Sequence, residues 1–183
     1  MSKAGATSRF KAKLVRPAKP GDDTSWAFLV LPKTASDKLP RRGRTTVEGA
    51  INGQSFQATL EPDGQLSHWL RVDKELRQAA GANIGDIVTL DIAPVHEEPD
   101  PRVPADLAKA LVESPEAKAL WAEITPIARL DWIHWIVSAR QAQTRKRRIA
   151  DACDMLSSGK RRVCCFDPSG FYSKSLSAPE PVE

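Results

Sequence analysis

Residues 44–61 read RTTVEGAINGQSFQATLE, two runs of strand-forming residues on either side of Asn52-Gly53. A two-residue Asn-Gly loop between such runs is the strongest short-range hairpin signal, because both positions of a type I′ turn need positive φ. On the return run Phe56, Ala58 and Leu60 share one side. Working outward, Pro62-Asp63-Gly64 is a second turn, and residues 66–72 place Leu66, His68, Leu70 and Val72 on one side with Ser67, Trp69 and Arg71 on the other. Upstream, Phe10, Ala12 and Leu14 alternate with Lys11, Lys13 and Val15. WAFLVL at 26–31 is apolar throughout and stops at Pro32, which suits a strand covered on both faces. Downstream, Asp73 stands where an N-cap for a short helix over 74–80 is expected, and Gly81 is its stop. Val88 and Leu90 then alternate with Thr89 and Asp91 in a last strand, 87–92. Six short strands joined by tight turns predict a small closed barrel at residues 9–93, which removes exposed sheet edges.

The period then changes. Residues 94–103 carry no pattern of either period and read as a Pro-rich linker. Pro104, Pro115 and Pro126 each open a helical stretch, proline being suited to the first helical position. The third helix is apolar on two faces: Ile127, Leu130, Ile133 and Val137 on one, and Trp132, Trp135, Ile136 and Ala139 on the other. A fourth runs from about 144 to 158 with Ile149, Ala152, Cys153 and Leu156 inward, and its stripe is out of register with the third, so a break is expected near 141–144. The fold class is therefore α+β: a six-stranded β-barrel followed by a helical unit at 104–159. Residues 1–8 and the final SAPEPVE read as disordered, and 160–183 as an irregular tail.

The 183 residues carry 27 Lys+Arg against 23 Asp+Glu, with 41% hydrophobic residues, an ordinary globular composition. The longest apolar run, residues 26–31, is far short of the roughly 20 residues a membrane helix needs. The N-terminus lacks an apolar signal region, and three cysteines do not build a disulfide framework, so a cytoplasmic protein without membrane insertion is expected. No phosphate loop, nucleophile elbow or metal-ligand spacing is present, so neither cofactor nor metal is expected. Cys164-Cys165 reads as a pair of small side chains in a docked tail; the flanking Arg161 and Arg162 leave a redox role open.

Charge singles out one feature. Arg145, Lys146, Arg147 and Arg148 crowd the first turn of the fourth helix, where the macrodipole is already positive and cations are unfavourable. Arg145 and Arg148 should be partly buried and Arg147 solvated. Either an acid such as Asp131 or Glu123 pairs with them, or the helix start and guanidinium forks hold an anion. The candidate anion or ligand site is Arg145, Arg148, Trp135 and Lys160 at the junction of barrel and helices, with an anionic small molecule or peptide as the expected partner. No catalytic residue is assigned and the chain is read as a non-enzymatic binding protein. Two alternatives stand beside it. Trp69 and the basic helix have the makings of a nucleic-acid surface, although the barrel segment 1–97 carries only a net +3. Asp131, His134 and Ser138, together on one strip with Gln141, suggest acid–base or nucleophilic chemistry, against which the strip reads as the wet side of its helix.

Particular residues also carry a family resemblance. WAFLVLP (26–32), RGRTTVEGAINGQSFQATLEPDG (42–64), HWLRVDKELRQAAG (68–81), IGDIVTL (84–90) and VPADLAKAL (103–111) resemble a bacterial domain of unknown function. Residues 115–160 are similar to the YdeI/OmpD-associated, or bacteriocin-protection, family through Trp132-Ile133, Ile136, Ala139-Arg140, Thr144-Arg145, Arg147-Arg148-Ile149, Leu156 and Gly159-Lys160. Gln143 stands where that family often has Glu, and Arg140 where it often has Lys. The resemblance implies a double-split barrel of the kind found in swapped-hairpin regulators, and an association with envelope or antimicrobial stress. It implies no catalytic residues.

Overall fold

The computed structural model describes residues 7–163 and 177–182. The chain divides into two compact units, Met1–Glu98 with Leu176–Glu183, and Pro99–Ser175. In the first, six strands β1 (Ser8–Lys13), β2 (Ala27–Val30), β3 (Thr45–Ile51), β4 (Gln54–Pro62), β5 (His68–Val72) and β6 (Ile87–Pro94) pair antiparallel in the order β1-β6-β3-β4-β5-β2. Val15, just past β1, exchanges both backbone hydrogen bonds with Phe28 of β2 at 2.9 Å, so the two ends of the sheet meet in a nearly closed barrel. The hairpin that decides the fold is present, with Asn52 and Gly53 at φ 48° and 82° and Ile51 opposite Gln54. Each strand turns its alternate apolar residues inward: Leu29, Val47, Leu60, Leu70, Val88, Leu90 and Ile92 form the barrel core.

Strand β2 is covered on its inner face and, at Phe28, on its outer face, but Val30 at its end is 41% exposed, so the full cover its apolar run predicts is not reached. Ala27 and Leu29 enter the core, while Phe28 packs outside it against Trp26 and Trp69. Two short helices, α1 (Lys33–Ser36) and α2 (Lys74–Ala79), decorate the barrel. The first leaves no trace in hydrophobic period because it is a single turn started by Pro32. Asp73 stands at the N-cap of α2 but makes no capping hydrogen bond there, since its carboxylate takes the Arg71 Nε–H at 2.9 Å. Leu66, expected to share a face with Leu70, instead sits in the turn at φ 69° and is 59% exposed. Asp63 imposes that turn: its backbone N–H donates to the Ser67 carbonyl, and its carboxylate accepts from the N–H groups of Gln65 and Ser67.

The ends of the barrel segment differ from expectation. Ser8 already belongs to β1 and is buried. Residues 178–182, read from sequence as disordered, lie beside 16–18, with Pro17 bridged to Pro181. The proline-rich linker is likewise tied down. Pro94 ends β6, and the Glu98 carboxylate accepts from the Thr46 N–H and from Arg41, both at 3.0 Å.

Among the described residues the second unit has four helices, α3 (Ala105–Val112), α4 (Pro115–Glu123), α5 (Pro126–Val137) and α6 (Ala142–Ser157). Proline opens α4 and α5 at the first turn, and Thr125 caps α5 by accepting the Ala128 N–H on its hydroxyl. The break between α5 and α6 falls at 138–141, close to where the two apolar stripes lose register. The core joins Leu107 and Leu111 of α3, Trp121 of α4, Trp132 and Ile136 of α5, and Ile149 and Leu156 of α6. Only one face of α5 is fully covered. Ile127 and Leu130 are half-buried and Val137 is exposed. Among the described residues no helix is long and apolar enough to cross a membrane.

Candidate functional site

The basic start of α6 resolves into separate attachments. Arg145 makes a two-pronged contact with Asp106 in the first turn of α3, Nε to Oδ2 at 2.7 Å and Nη2 to Oδ1 at 3.1 Å. The Arg145 hydrogen bond holds the Asp106 carboxyl below its ordinary value, helped by the Leu107 N–H, and the same bond raises Arg145 further. An acid was expected from Asp131 or Glu123; Glu123 instead bonds Arg161 at 3.0 Å. Sequence could not nominate Asp106, because its only local signal is that of an ordinary acid at a helix start.

Arg148 does something different. Its Nη1 donates to the Trp135 carbonyl at 2.7 Å and reaches Ser138 Oγ at 3.4 Å, while the guanidinium lies 5.4 Å from the Trp135 ring centroid. Trp135 is in the last turn of α5, where carbonyls lack helical partners and the dipole is negative, so Arg148 acts there as a C-terminal cap. Trp135 packs edge-on to Trp132 at 6.1 Å, and its buried indole N–H has no acceptor among the described residues. The structure thus brings Arg148 and Trp135 together. It leaves Arg145 in the first turn of α6 and Lys160 beyond the helix's last residue, Ser157. As the helix geometry predicts, Arg145 and Arg148 are partly buried and Arg147 is exposed.

Just past α5, Ser138 donates its hydroxyl to the Trp135 carbonyl at 3.0 Å. Asp131, expected on a wet strip, is buried, while His134 is half-buried. Among the described residues no three His, Cys, Asp or Glu side chains gather as a metal would require. Cys164 and Cys165 lie outside the described residues. Cys153 is a buried free thiol whose pKa is pushed up by burial and then by Asp154, so it stays protonated.

A concavity lies beside the basic helix. A groove of about 600 Å³ runs between α3 and α6, floored by Ala110, Ile149, Ala150 and Cys153. Its rim holds three carboxylates, Asp106, Glu113 and Asp154, and two cations, Arg145 and Lys146. The Arg145–Asp106 pair stands within this rim.

In the β unit, the aromatic alternative is a packed cluster. Trp69 lies 6.4 Å from Trp26 and 6.1 Å from Phe28. Arg71 stacks 4.5 Å over Trp26, and its nitrogens meet Asp23 and Asp73. Arg71 is thus shared between the Trp26 face and two carboxylates, the charged groups all partly exposed. A second polar cluster was invisible in sequence because its members are far apart in the chain. His68 Nε2 donates to the Gly43 carbonyl at 3.0 Å, which leaves Nδ1 to accept the Ser36 hydroxyl at 2.6 Å. Burial lowers the His68 pKa from 6.5, against the Gly43 carbonyl and Asp63, which pull it up, and with Arg42, which lowers it further. The unfolded chain then takes a proton at the ordinary value while the folded ring resists it. The stability this ring contributes is present above pH 6.5 and is lost as pH falls through it. Urea midpoints of the parent should drop between pH 7.5 and 5.5. In His68→Asn the part of that drop due to this ring should vanish, and an unchanged pH profile in the variant would refute the assignment.

Residues 10–92 match the family model of a domain of unknown function, DUF1905. Residues 100–159 match the family described as Bacteriocin-protection, YdeI or OmpD-Associated. Comparison with curated proteins gives no match.

Proposed function

We propose, for a chain whose residues 100–159 belong to the bacteriocin-protection, YdeI or OmpD-associated family and whose residues 10–92 form a domain of unknown function, that it acts by binding rather than by catalysis. Its ligand surface is the groove between α3 and α6. The observation that supports this is the groove itself, about 600 Å³, lined by Ala110, Ile149, Ala150 and Cys153 together with charged residues. Such a trough suits an amphipathic helix laid on its apolar side. An anionic small molecule or peptide terminus would have to displace Asp106 from the Arg145 guanidinium fork, which is already satisfied in both prongs. With three carboxylates against two cations on the rim, a cationic partner is favoured over an anionic one. Protection then consists of sequestering such a segment.

Ala150 is exposed on α6 and lines the groove, so Ala150→Trp fills it without disturbing the core. A labelled cationic amphipathic helical peptide is expected to bind the parent saturably and the variant at least tenfold more weakly, a loss of about 1.4 kcal/mol. Equal affinity for both chains, or none for the parent, would sink this reading.

A further inference from the structure

The segment that returns to the β unit is held there by its main chain. The Ala178 N–H donates to the Asp63 carbonyl at 3.2 Å, the Ala18 N–H to the Glu180 carbonyl at 2.7 Å, and the Val182 N–H to the Arg16 carbonyl at 2.9 Å. Between the last two bonds Pro17 faces Pro181 in an antiparallel bridge. In an antiparallel ladder, opposed residues alternate between pairs that exchange both hydrogen bonds and pairs that exchange none. Both prolines occupy a pair of the second kind, the one place where a missing N–H costs nothing. The side chains of Glu180, Pro181 and Val182 are exposed. Beside them, Lys13, Leu14, Val15, Arg16 and Ile84 line a shallow hollow of about 260 Å³ that Val182 borders. A short basic edge is therefore capped by an acidic, extended segment that buries little of itself.

We propose that residues 16–18 are a strand-acceptor site, occupied in cis by 178–182, and that the site takes extended peptides of acidic–Pro–aliphatic pattern from another chain when that segment is withdrawn. Main-chain pairing supplies the attachment, and the facing prolines with the Lys13 and Arg16 charges supply selectivity. Because it is tethered, the chain's own segment competes at an effective concentration of about millimolar, which keeps the intact protein closed to weak ligands. This inference is independent of the groove between α3 and α6.

The probe is fluorescein-labelled Ser-Ala-Pro-Glu-Pro-Val-Glu, tested against the full chain and against a chain lacking residues 177–183. Saturable binding to the shortened chain is expected, at least tenfold tighter than to the full chain. It should weaken when the peptide's first Glu is replaced by Lys and disappear when the shortened chain carries Ala18→Pro. Equal binding to both chains, or no saturable binding to a shortened chain with an unaltered circular dichroism spectrum, overturns the proposal. Val182→Pro in the full chain supplies a test without truncation. It removes one of the pairing donors, and the Ala18 amide should then exchange at least tenfold faster; an unchanged exchange rate overturns the proposal as well.

Discussion

Gly49→Ala is expected to abolish the folded barrel, leaving the purified chain without a cooperative thermal transition in its β-sheet signal. Gly49 lies in β3 between its two neighbours, opposite Ile92 of β6 and Phe56 of β4. A Cβ added there would stand 1.8 Å from the Asp91 carbonyl oxygen, 2.8 Å from its carbon and 3.0 Å from the Ile92 Cα. All three atoms are backbone. A crowded side chain can change rotamer, but these atoms can move only by parting β3 from β6, the ladder that joins the β1–β6 pair to the rest of the barrel. Overpacking typically costs about 1–3 kcal/mol where the surroundings relax and more where, as here, they cannot. A domain of this size has only about 5–15 kcal/mol in total. Gly43→Ala is the control, since a Cβ at Gly43 meets nothing within 4 Å, and it should shift stability by less than about 0.5 kcal/mol. A Gly49→Ala chain that melts like the parent would show that the two strands tolerate separation.

The second large effect is expected in the helical unit. Trp132 is fully buried, donates its indole N–H to the Arg161 carbonyl at 3.2 Å, and supports the edge of Trp135. Trp132→Ala removes the ring, opens a cavity and orphans that carbonyl, so a loss of about 3–5 kcal/mol is expected. It also withdraws the surface that holds Trp135 under Arg148. Hydrogen exchange of the α5 and α6 amides in Trp132→Ala should accelerate accordingly. Trp132→Phe, which keeps most of the volume but not the hydrogen bond, should recover more than half of the loss. If alanine costs less than about 1 kcal/mol, α5 is not the centre of this unit's core.

What the sequence revealed follows the range of the forces involved. Asn52-Gly53, the alternation through Val88 and Leu90, and the prolines that open α4 and α5 are local signals, and the corresponding elements are present. Alternation also separated Trp69 from Leu70 onto opposite faces. It failed at Leu66, where side-chain bonds from Asp63 override the period. The reading of 178–182 as disordered failed for another reason: prolines that would break most strands fall there at a bridge that needs no N–H. The candidate site was half legible. That Arg145 and Arg148 must be partly buried followed from helical geometry alone. That their partners are Asp106, 39 residues away, and a main-chain carbonyl did not. Ser36, Gly43 and His68 likewise meet only through tertiary structure, each looking ordinary in its own stretch.

The strand order has a consequence for how the molecule is made. Strands β3 and β4 are joined by two residues and can pair within microseconds of leaving the ribosome. Strand β1 is the first of the six to be synthesised, yet its ladder partner among the described residues is β6, with Ser8 opposite Ile92. At a synthesis rate of about 5–20 residues per second, it must wait on the order of 4–17 s with both edges open. Its alternating lysines, Lys11 and Lys13, are suited to that interval, because charge on a bare edge discourages pairing with other nascent chains. The pairing of Pro17 with Pro181 comes later still, so this contact, 164 residues apart in sequence, forms only after residue 181 has been made.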